Sequence, residues 1–252
     1  MIPYGGINSV VTPDLRKLWG VCRDAKCPLC GHSQTSLFHI LVGCSTALKQ
    51  LRYSWRHDSV LLTMQDSLQR RVKDHNASPP KPVDRKIKFR TVKDPPPKRQ
   101  VAQVRNSSSS ILSTASDWRI QIDFTKEPVP FPVHICVTEK RPDIVMYSDS
   151  HKTVILIELT CPAEENIADA RFRKEVKYTP LKDQIAENNW KCHLFTIEVG
   201  ARGFVSGSVP RLLRRLGFTN SNIRDLVRKI SISASRCSFA IYKSYKVRNW
   251  CW

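Results

Sequence analysis

The chain is 252 residues long and 41% hydrophobic, so it is long enough for one large domain or two small domains with a real hydrophobic core. It contains no run of about 18 or more apolar residues, which predicts no membrane span. Its N-terminus lacks the basic and then apolar pattern of a signal peptide. We therefore expect an intracellular protein, in the nucleus or the cytoplasm, with reduced cysteines. The nine cysteines are odd in number, which argues against a disulfide framework.

The formal net charge of +19 is concentrated in the two flanks of the chain. Residues 1–110 contain 19 Lys and Arg against 7 Asp, and residues 201–252 contain 11 against one acid, Asp225. Residues 111–200 contain 11 Lys and Arg against 14 acids. Basic flanks around a local group of carboxylates are typical of a protein that binds a polyanion, with DNA as the expected partner and RNA as a second candidate. The alternative is a basic tail on an ordinary domain of mixed charge.

Four metal-ligand residues follow a short helix that is predicted to start at Pro13. The ligands, in chain order, are Cys27, Cys30, His39 and Cys44. Their spacing is that of a small zinc knuckle, in which a turn at Gly31 carries the first two cysteines and a short helix over residues 36–42 carries the histidine. Cys22 and His32 are alternative ligands. Four protein ligands leave no open position, so the spacing predicts a structural Zn²⁺ site, against the alternative of buried cysteines beside an apolar helix.

Residues 46–74 have the pattern of a basic helix, with apolar residues on one face and Arg, His and Lys on the other. We group residues 15–74 as a zinc knuckle and basic helix. Within the helix, Arg56-His57-Asp58 combines a cation, an imidazole and a carboxylate. The tripeptide is interpreted either as a solvated helix face or as a group that lies beside the bound phosphate or adds an acid to a metal site.

Residues 75–116 are predicted to be a linker rich in Pro, Ser and Lys. The linker includes a run of three prolines at residues 95–97 and a run of four serines at residues 107–110. Low apolar content with positive charge is typical of a disordered segment, or of an extended arm that lies along a nucleic-acid backbone.

Four strands are predicted between the linker and the middle of the chain. Residues 118–124 alternate between polar and apolar, as in a half-buried strand, and residues 133–137 form a second short strand. Two further strands, at residues 144–147 and 154–157, are joined by a polar turn at residues 149–152. The last of these strands shows no alternation, so we expect a central strand that is buried on both faces.

Two acids and a helix lysine form the candidate catalytic site. Asp143 precedes the third predicted strand, and Glu158 directly follows the fourth. The next helix, predicted over residues 162–178, places Lys174 and Lys177 on one face. Two carboxylates supply hard oxygen ligands for Mg²⁺ or Mn²⁺, which activates water and neutralises phosphate charge, and a lysine adds charge stabilisation.

The C-terminal part of the chain is predicted to contain helices around one more strand. Thr179-Pro180 is expected to end one helix and to start another that reaches about residue 188, before a strand at residues 192–199. A glycine-rich loop and a short Arg-rich helix complete a core at residues 117–218, and residues 219–252 form a basic C-terminal helix. The side chains predicted to contact nucleic acid are Arg56, His57, Arg141, Tyr178, Arg202, Arg211, Arg214 and Arg215.

Four segments resemble the C-terminal endonuclease of target-primed non-LTR retrotransposons, which has a PD-(D/E)XK restriction-endonuclease-like fold. The segments are RPDIVMYS from residue 141, IELTCPAEEN from residue 157, RKEVKY from residue 173 and IEVGARGF from residue 197. In that group a Cys-Cys-His-Cys knuckle precedes the nuclease. The resemblance implies an α/β fold with a mixed sheet flanked by helices, a preceding zinc knuckle, and a Mg²⁺-dependent endonuclease that nicks target DNA.

By this resemblance, Asp143 and Glu158 are the metal-binding acids. The position two residues after the second acid, where the fold usually has lysine, is Thr160. The resemblance therefore implies that Lys174 or Lys177 supplies the lysine from the following helix. Two more residues are implied in the site, Tyr178 for positioning and Glu165 as an additional ligand.

The reverse transcriptase that accompanies such an endonuclease would not fit into 252 residues. We therefore expect a fragment of an element, a separate gene piece or a domesticated remnant. Two alternatives to an active nuclease stay open. One is a zinc-containing nucleic-acid-binding protein whose nuclease fold no longer cuts. The other is an interaction protein in which Glu158 merely pairs with Lys174.

Overall fold

A four-stranded mixed sheet lies at the centre of the computed structural model, which describes residues 10–78 and 110–251. Its strands, in spatial order, are β1 (Arg119–Ile122), β2 (Ile144–Ser148), β3 (Thr153–Thr160) and β4 (Lys191–Glu198). β2 is antiparallel to both β1 and β3, whereas β3 and β4 are parallel. Seven of the eight residues of β3 are buried, which confirms the prediction of a central strand buried on both faces.

Six α-helices flank the sheet in the described part of the chain. They are α1 (Pro13–Leu18), α2 (Ser45–Lys49), α3 (Arg52–Ala77), α4 (Ile167–Glu187), α5 (Ser208–Arg215) and α6 (Asn220–Lys243). A π-helical turn spans His39–Gly43, and 3₁₀ turns span Ile111–Thr114 and Glu164–Asn166. The predicted α/β class is confirmed as a mixed sheet flanked by helices. Among these described helices, none is long and apolar enough to cross a membrane.

The alternation of side chains along the strands divides the core into two layers. On one face, Met146, Ile155 and Ile157 pack in a hydrophobic cluster with residues of α3, α5 and α6. On the other face, Tyr147 and Leu156 pack with residues of α4. Because successive strand side chains point to opposite faces, the continuous apolar run of β3 contributes to both layers.

Helix α4 connects the parallel strands β3 and β4 and continues through Pro180, where the sequence predicts a break. The buried residues Tyr178, Leu181 and Ile185 lie on both sides of the proline at helical spacing. A proline in a helix interior costs about 3 kcal/mol. Burying Leu181 and Ile185 stabilises the helix by about 1.5–3 kcal/mol each, so packing against the sheet outweighs the cost and the helix stays continuous.

The strand predicted at residues 133–137 is wrong. Residues 133–135 form a turn, in which the N–H of Ile135 donates to the carbonyl of Pro132 at 3.0 Å. Val133 and Val137 are 74% and 85% exposed, whereas Ile135, which would share their face in a strand, is 1% exposed, so the burial does not follow the alternation of a strand. The neighbouring prolines also lack the N–H donors that a strand ladder needs. The remaining predicted strands are present with shifted ends.

The basic helix predicted at residues 46–74 is divided into α2 and α3. Leu51 separates the two helices and has a left-handed backbone with φ of +58°. α3 packs against α6, and its residues Val60, Leu61 and Met64 belong to the same hydrophobic cluster as one face of the sheet. The N-terminal half of α3 is thereby held close to the ends of β2 and β3.

The predicted linker at residues 75–116 falls mostly outside the described residues, and its middle part, residues 79–109, is not described at all. Its described C-terminal end contains the 3₁₀ turn at Ile111–Thr114. Ile111 and Leu112 are buried in the core there. The last residues of the predicted linker therefore belong to the folded core.

Candidate functional site

The structure brings the four predicted zinc ligands into one cluster. The ligand atoms of Cys27, Cys30, His39 and Cys44 all lie within 4.8 Å of one another. The sulfurs of Cys27 and Cys44 are 3.9 Å apart, and Cys30 Sγ is 3.3 Å from His39 Nε2. Ligand atoms at tetrahedral Zn–S and Zn–N distances of about 2.3 and 2.0 Å lie roughly 3.5–3.8 Å apart. The observed separations fit that geometry, so the cluster can hold a metal such as zinc.

Local backbone geometry positions the cluster. The N–H of Cys27 donates to the His32 carbonyl at 2.8 Å, and the N–H of Gly31 donates to the Cys27 carbonyl at 2.9 Å, which closes a tight turn. Gly31 has φ of +76°, a conformation that side-chain-bearing residues rarely adopt. The hydroxyl of Tyr53, on α3, accepts a hydrogen bond from the N–H of Cys44 at 3.0 Å. The cluster is therefore tied directly to α3.

The ligands of the cluster differ in how readily they reach the deprotonated form that binds a metal. Burial raises the pKa of the Cys44 thiol to about 11, so a metal would have to displace its proton. Burial and the neighbouring His32 lower the pKa of His39, which keeps its imidazole in the neutral form that ligates zinc. His32, one of the two alternative ligands, stacks on His39 with ring centroids 4.6 Å apart. The other alternative, Cys22, donates to the carbonyl of Asp24 at 3.2 Å. Neither belongs to the cluster.

The two predicted acids lie side by side where β2 begins and β3 ends. Ile144 pairs with Ile157 in the antiparallel register, so Asp143 and Glu158 are level with each other. The N–H of Asp143 donates to Glu158 Oε2 at 3.3 Å, and the N–H of Leu159 donates to Asp143 Oδ2 at 2.6 Å. The hairpin register therefore brings the two carboxylates to one edge of the sheet.

The electrostatics of the acid pair favour a cation. Glu158 is 1% exposed, and burial together with the charge of Asp143 raises its pKa, while Lys174 acts in the opposite direction. Two carboxylates that share a buried site repel each other. A divalent cation between them would relieve that repulsion, and carboxylate oxygens are the ligands that Mg²⁺ prefers. The residues present thus fit Mg²⁺ or Mn²⁺.

The two candidate lysines make different contacts. Lys174 Nζ pairs with Glu158 Oε1. Lys177 Nζ donates to the hydroxyl of Tyr178 at 3.0 Å and lies 4.6 Å from the centre of its ring. The geometry therefore favours Lys174 as the lysine of the acid site. The same Glu158–Lys174 pair is also what the interaction-protein alternative predicts.

Helix α3 places a histidine against the acids. His57 Nε2 lies 3.2 Å from Asp143 Oδ2 and 3.3 Å from the Leu159 carbonyl, and Nδ1 lies 3.1 Å from Asp58 Oδ1. Burial opposes protonation, but the charge of Asp143 and the hydrogen bonds to Asp143 and Asp58 raise the pKa of His57 well above its ordinary value. Residues 56–58 stand out in the sequence, yet Asp143 is 86 positions further along the chain. Spacing alone cannot identify that contact.

The structure corrects two predicted nucleic-acid contacts. Arg56 is 1% exposed, and its guanidinium donates at 3.0 Å to the carbonyls of Leu41 and Cys161. Tyr178 is fully buried, and its hydroxyl donates to a backbone carbonyl at 2.9 Å. Buried polar groups are held by hydrogen bonds of this kind. Both side chains are therefore interior structural groups that do not reach the surface.

The other arginines predicted to contact nucleic acid lie at or near the surface. Three are exposed on α5: Arg211, Arg214 and Arg215. The side chain of Arg141 pairs with Asp123, with Nε 3.6 Å from Oδ2. Arg202 pairs with Glu164 at 2.7 Å and with Glu165 at 3.1 Å. Glu165, which the resemblance implies as an additional metal ligand, is thus engaged with an arginine.

Two groups of predicted site residues are assembled by the fold. One contains the four Cys and His ligands, and the other contains Asp143, Glu158, Lys174 and His57. No model of a known protein family matches the chain, and none of the curated proteins matches it either. The two clusters are therefore the features on which a functional proposal rests.

Proposed function

We propose that this chain is a Mg²⁺- or Mn²⁺-dependent DNA endonuclease with a PD-(D/E)XK fold, related to the C-terminal endonuclease of target-primed non-LTR retrotransposons. The observation that carries the proposal is the convergence of Asp143, Glu158 and Lys174 at one edge of the sheet. Two adjacent carboxylates with a lysine form a set of groups that can hold a divalent cation against a phosphodiester. The antiparallel β2–β3 pair supports this proposal, because its register places the two acids opposite each other on neighbouring strands.

Each residue of the acid site has a defined task in this proposal. A bound divalent cation would make a nucleophile from water and neutralise phosphate charge. Asp143 and Glu158 would hold it, and the Leu159 N–H fixes one oxygen of Asp143 beforehand. Lys174, whose side chain is 30% exposed, is more open to solvent than Glu158 and would stabilise negative charge that develops on the phosphate.

The Cys/His cluster is proposed to bind one structural Zn²⁺. Its four protein ligands leave no open coordination position for a substrate. The cluster contacts α3 through Tyr53, and α3 also carries His57. Zinc would therefore stabilise the helix that reaches the acid site.

The charge of the chain supports a nucleic-acid substrate, with DNA as the first candidate and RNA as the second. The net charge is +19, and Arg211, Arg214 and Arg215 are exposed on α5, which packs against β4. Contacts from Lys and Arg to phosphates dominate the affinity of such proteins. Cutting of genomic DNA would locate the activity in the nucleus.

A second candidate function is a zinc-containing nucleic-acid-binding remnant that no longer cuts. Two observations favour it. Thr160 occupies the position where the fold usually has its lysine, and Lys174 is already paired with Glu158. In that case the lysine would neutralise the acid in place of a metal, and the protein would bind DNA without hydrolysing it.

Nicking of supercoiled plasmid in Mg²⁺ or Mn²⁺ tests the proposal. We expect the wild-type protein to convert supercoiled DNA to open circles, and Asp143→Asn and Glu158→Gln each to reduce the rate by at least about a hundredfold. Asp149→Asn is the matched control, because Asp149 lies in the exposed turn at the other end of the β2–β3 pair. Its rate should stay at the wild-type level.

Two results would contradict the nuclease. Nicking that survives both acid substitutions would point to another active site or to a contaminant. Complete lack of nicking by folded, zinc-loaded protein that still retains DNA in a salt-sensitive manner would support the non-cutting remnant instead.

A further inference from the structure

We propose that His57 and Asp58 form a brace on Asp143 that makes α3 part of the acid site. In this role His57 is a positioning residue rather than a nucleic-acid contact. The inference rests on the proposed function, since it assigns the orientation of one of the two carboxylates that would hold the divalent cation.

The brace is a continuous row of hydrogen-bonded groups. The N–H of Thr125 donates to Asp58 Oδ2 at 2.9 Å, and Asp58 Oδ1 lies 3.1 Å from His57 Nδ1. His57 Nε2 then lies 3.2 Å from Asp143 Oδ2. Each nitrogen of the imidazole faces a carboxylate oxygen, so the ring orientation is fixed from both sides.

The same contacts determine which oxygen of Asp143 faces the cation. Oδ2 makes two hydrogen-bond contacts, one with His57 Nε2 and one with the N–H of Leu159 at 2.6 Å. Within residues 10–78 and 110–251, the hydrogen bonds of the Asp143 carboxylate all involve Oδ2. Oδ1 is the oxygen left for a metal. Partners that orient a ligating carboxylate in this way typically change metal affinity or activity by about 10–100-fold when they are removed.

The residue before His57 holds the helix in place. The Arg56 guanidinium donates at 3.0 Å to Leu41 O, near the Cys/His cluster, to Cys161 O, just after β3, and to Ser238 Oγ on α6. α3 is thereby fixed to three parts of the molecule one residue before the brace. Hydrogen bonds outside the acid site therefore help to fix the position of His57 relative to Asp143.

The test measures Mn²⁺ binding by zinc-loaded protein without DNA, from the electron paramagnetic resonance signal of free Mn²⁺. We expect His57→Ala to weaken the Mn²⁺ site by about 10–100-fold. Asp58→Asn should weaken it by a smaller factor, because the imidazole keeps its contact with Asp143. His57→Gln retains a side-chain hydrogen-bond donor and should therefore recover part of the lost Mn²⁺ affinity. It also preserves most of the buried volume if His57→Ala folds poorly.

A matched control comes from the same helix. His75, near the C-terminal end of α3, lies with Nε2 2.8 Å from the carbonyl of Ala115, away from the acids. His75→Gln should lower the melting temperature without changing Mn²⁺ affinity, whereas a purely structural His57 would behave in the same way as His75. In nicking assays, His57→Gln should raise the Mg²⁺ concentration needed for half-maximal rate more than it lowers the rate at saturating Mg²⁺.

The outcomes separate the brace from the nuclease. If Asp143→Asn abolishes Mn²⁺ binding while His57→Gln and Asp58→Asn both bind with wild-type affinity, the brace is overturned and the metal site stands. If the wild type binds no Mn²⁺ that depends on Asp143, both proposals fall together. Weaker binding by the His57 variants, with an unchanged His75 control, supports the brace.

Discussion

The Cys/His cluster and the acid site are assembled in opposite ways. All four ligands of the cluster come from residues 27–44, a single local segment. The acid site combines Asp143 and Glu158 from the ends of two strands, Lys174 from α4 and His57 from α3. The first site can therefore form as soon as one short segment folds, whereas the second exists only when the whole core is in place.

The two sites also differ in what they leave open. The cluster offers four ligand atoms within 4.8 Å, enough to complete a tetrahedral zinc site. The acid site offers two carboxylates beside a partly exposed lysine, so water and a phosphate can complete the coordination of a hard cation. We therefore propose that the Cys/His cluster, whose coordination is complete, stabilises the structure, and that the acid site, whose coordination is open, performs the chemistry.

The largest expected effect comes from removing one ligand of the Cys/His cluster. Cys44→Ser should lower the zinc content from about one per chain to near zero, because structural zinc contributes on the order of 10 kcal/mol to small domains. We expect the melting temperature to fall by roughly 10 °C or more, since each kcal/mol shifts it by about 2–4 °C in a chain of this size. Metal analysis and thermal unfolding measure both quantities.

The control for this substitution is Cys22→Ser, because Cys22 lies outside the cluster. It should keep the zinc and the melting temperature of the wild type. A Cys44→Ser protein with full zinc content and unchanged stability would contradict the assignment of the cluster.

The next effect distinguishes the two lysines near the open site. Lys174→Met should lower the nicking rate by about 10²–10³-fold, because it removes a positive charge beside Glu158. Lys177→Met should cost less than about tenfold, since Lys177 contacts Tyr178 instead. Initial nicking rates at saturating Mg²⁺ provide the measurement. Equal losses in the two variants would show that the contact with Glu158 does not identify the catalytic lysine.

A smaller effect is expected from the exposed arginines of α5, which belong to neither the Cys/His cluster nor the acid site. Replacing Arg211, Arg214 and Arg215 together with Ala should weaken DNA binding and reduce the slope of log K against log salt by about 2–3, because each lost phosphate contact contributes about 0.9. Arg119→Ala is the control, since Arg119 pairs with Asp149 at the end of the sheet opposite the acids. An unchanged slope in the triple variant would remove α5 from the binding surface.

The smallest effect concerns the turn that sets the register of the acids. Burial acts to raise the pKa of Asp117, but hydrogen bonds from Ser148 and Ser150 lower it to about 2, below its ordinary value of 3.8. A lowered folded-state pKa stabilises the protein above the unfolded pKa, and that stability is lost as the pH falls through the folded value. Asp117→Asn should therefore cost on the order of 1 kcal/mol near neutral pH.

The pH dependence checks this reasoning. The difference in unfolding free energy between the wild type and Asp117→Asn should shrink as the pH is lowered from about 4 to about 2. Denaturant unfolding at several pH values measures it. A difference that stays constant over that range would mean that Asp117 does not stabilise the turn through its charge.

The contrast between the clusters also explains which features could be predicted from the sequence. The residues of the Cys/His cluster were identifiable because their spacing is local, and the central strand β3 was identifiable because it lacks alternation. The level placement of Asp143 and Glu158 follows from a short hairpin. These features depend on residues that are close in the chain.

Features that depend on contacts between residues far apart in the chain could not be predicted. The continuity of α4 through Pro180 depends on burial against the sheet, and the burial of Arg56 depends on carbonyls of other segments. The contact of His57 with Asp143 joins residues 86 positions apart. In each case the local pattern permitted more than one structure, and tertiary packing selected one.

The most direct test of the account is an anomalous difference map from a crystal of the zinc-loaded protein soaked in Mn²⁺. The account predicts two separate peaks, zinc among Cys27, Cys30, His39 and Cys44, and manganese between Asp143 Oδ1 and Glu158. Zinc in the cluster with no manganese at the carboxylates, and with Lys174 still paired to Glu158, would contradict the proposed nuclease site.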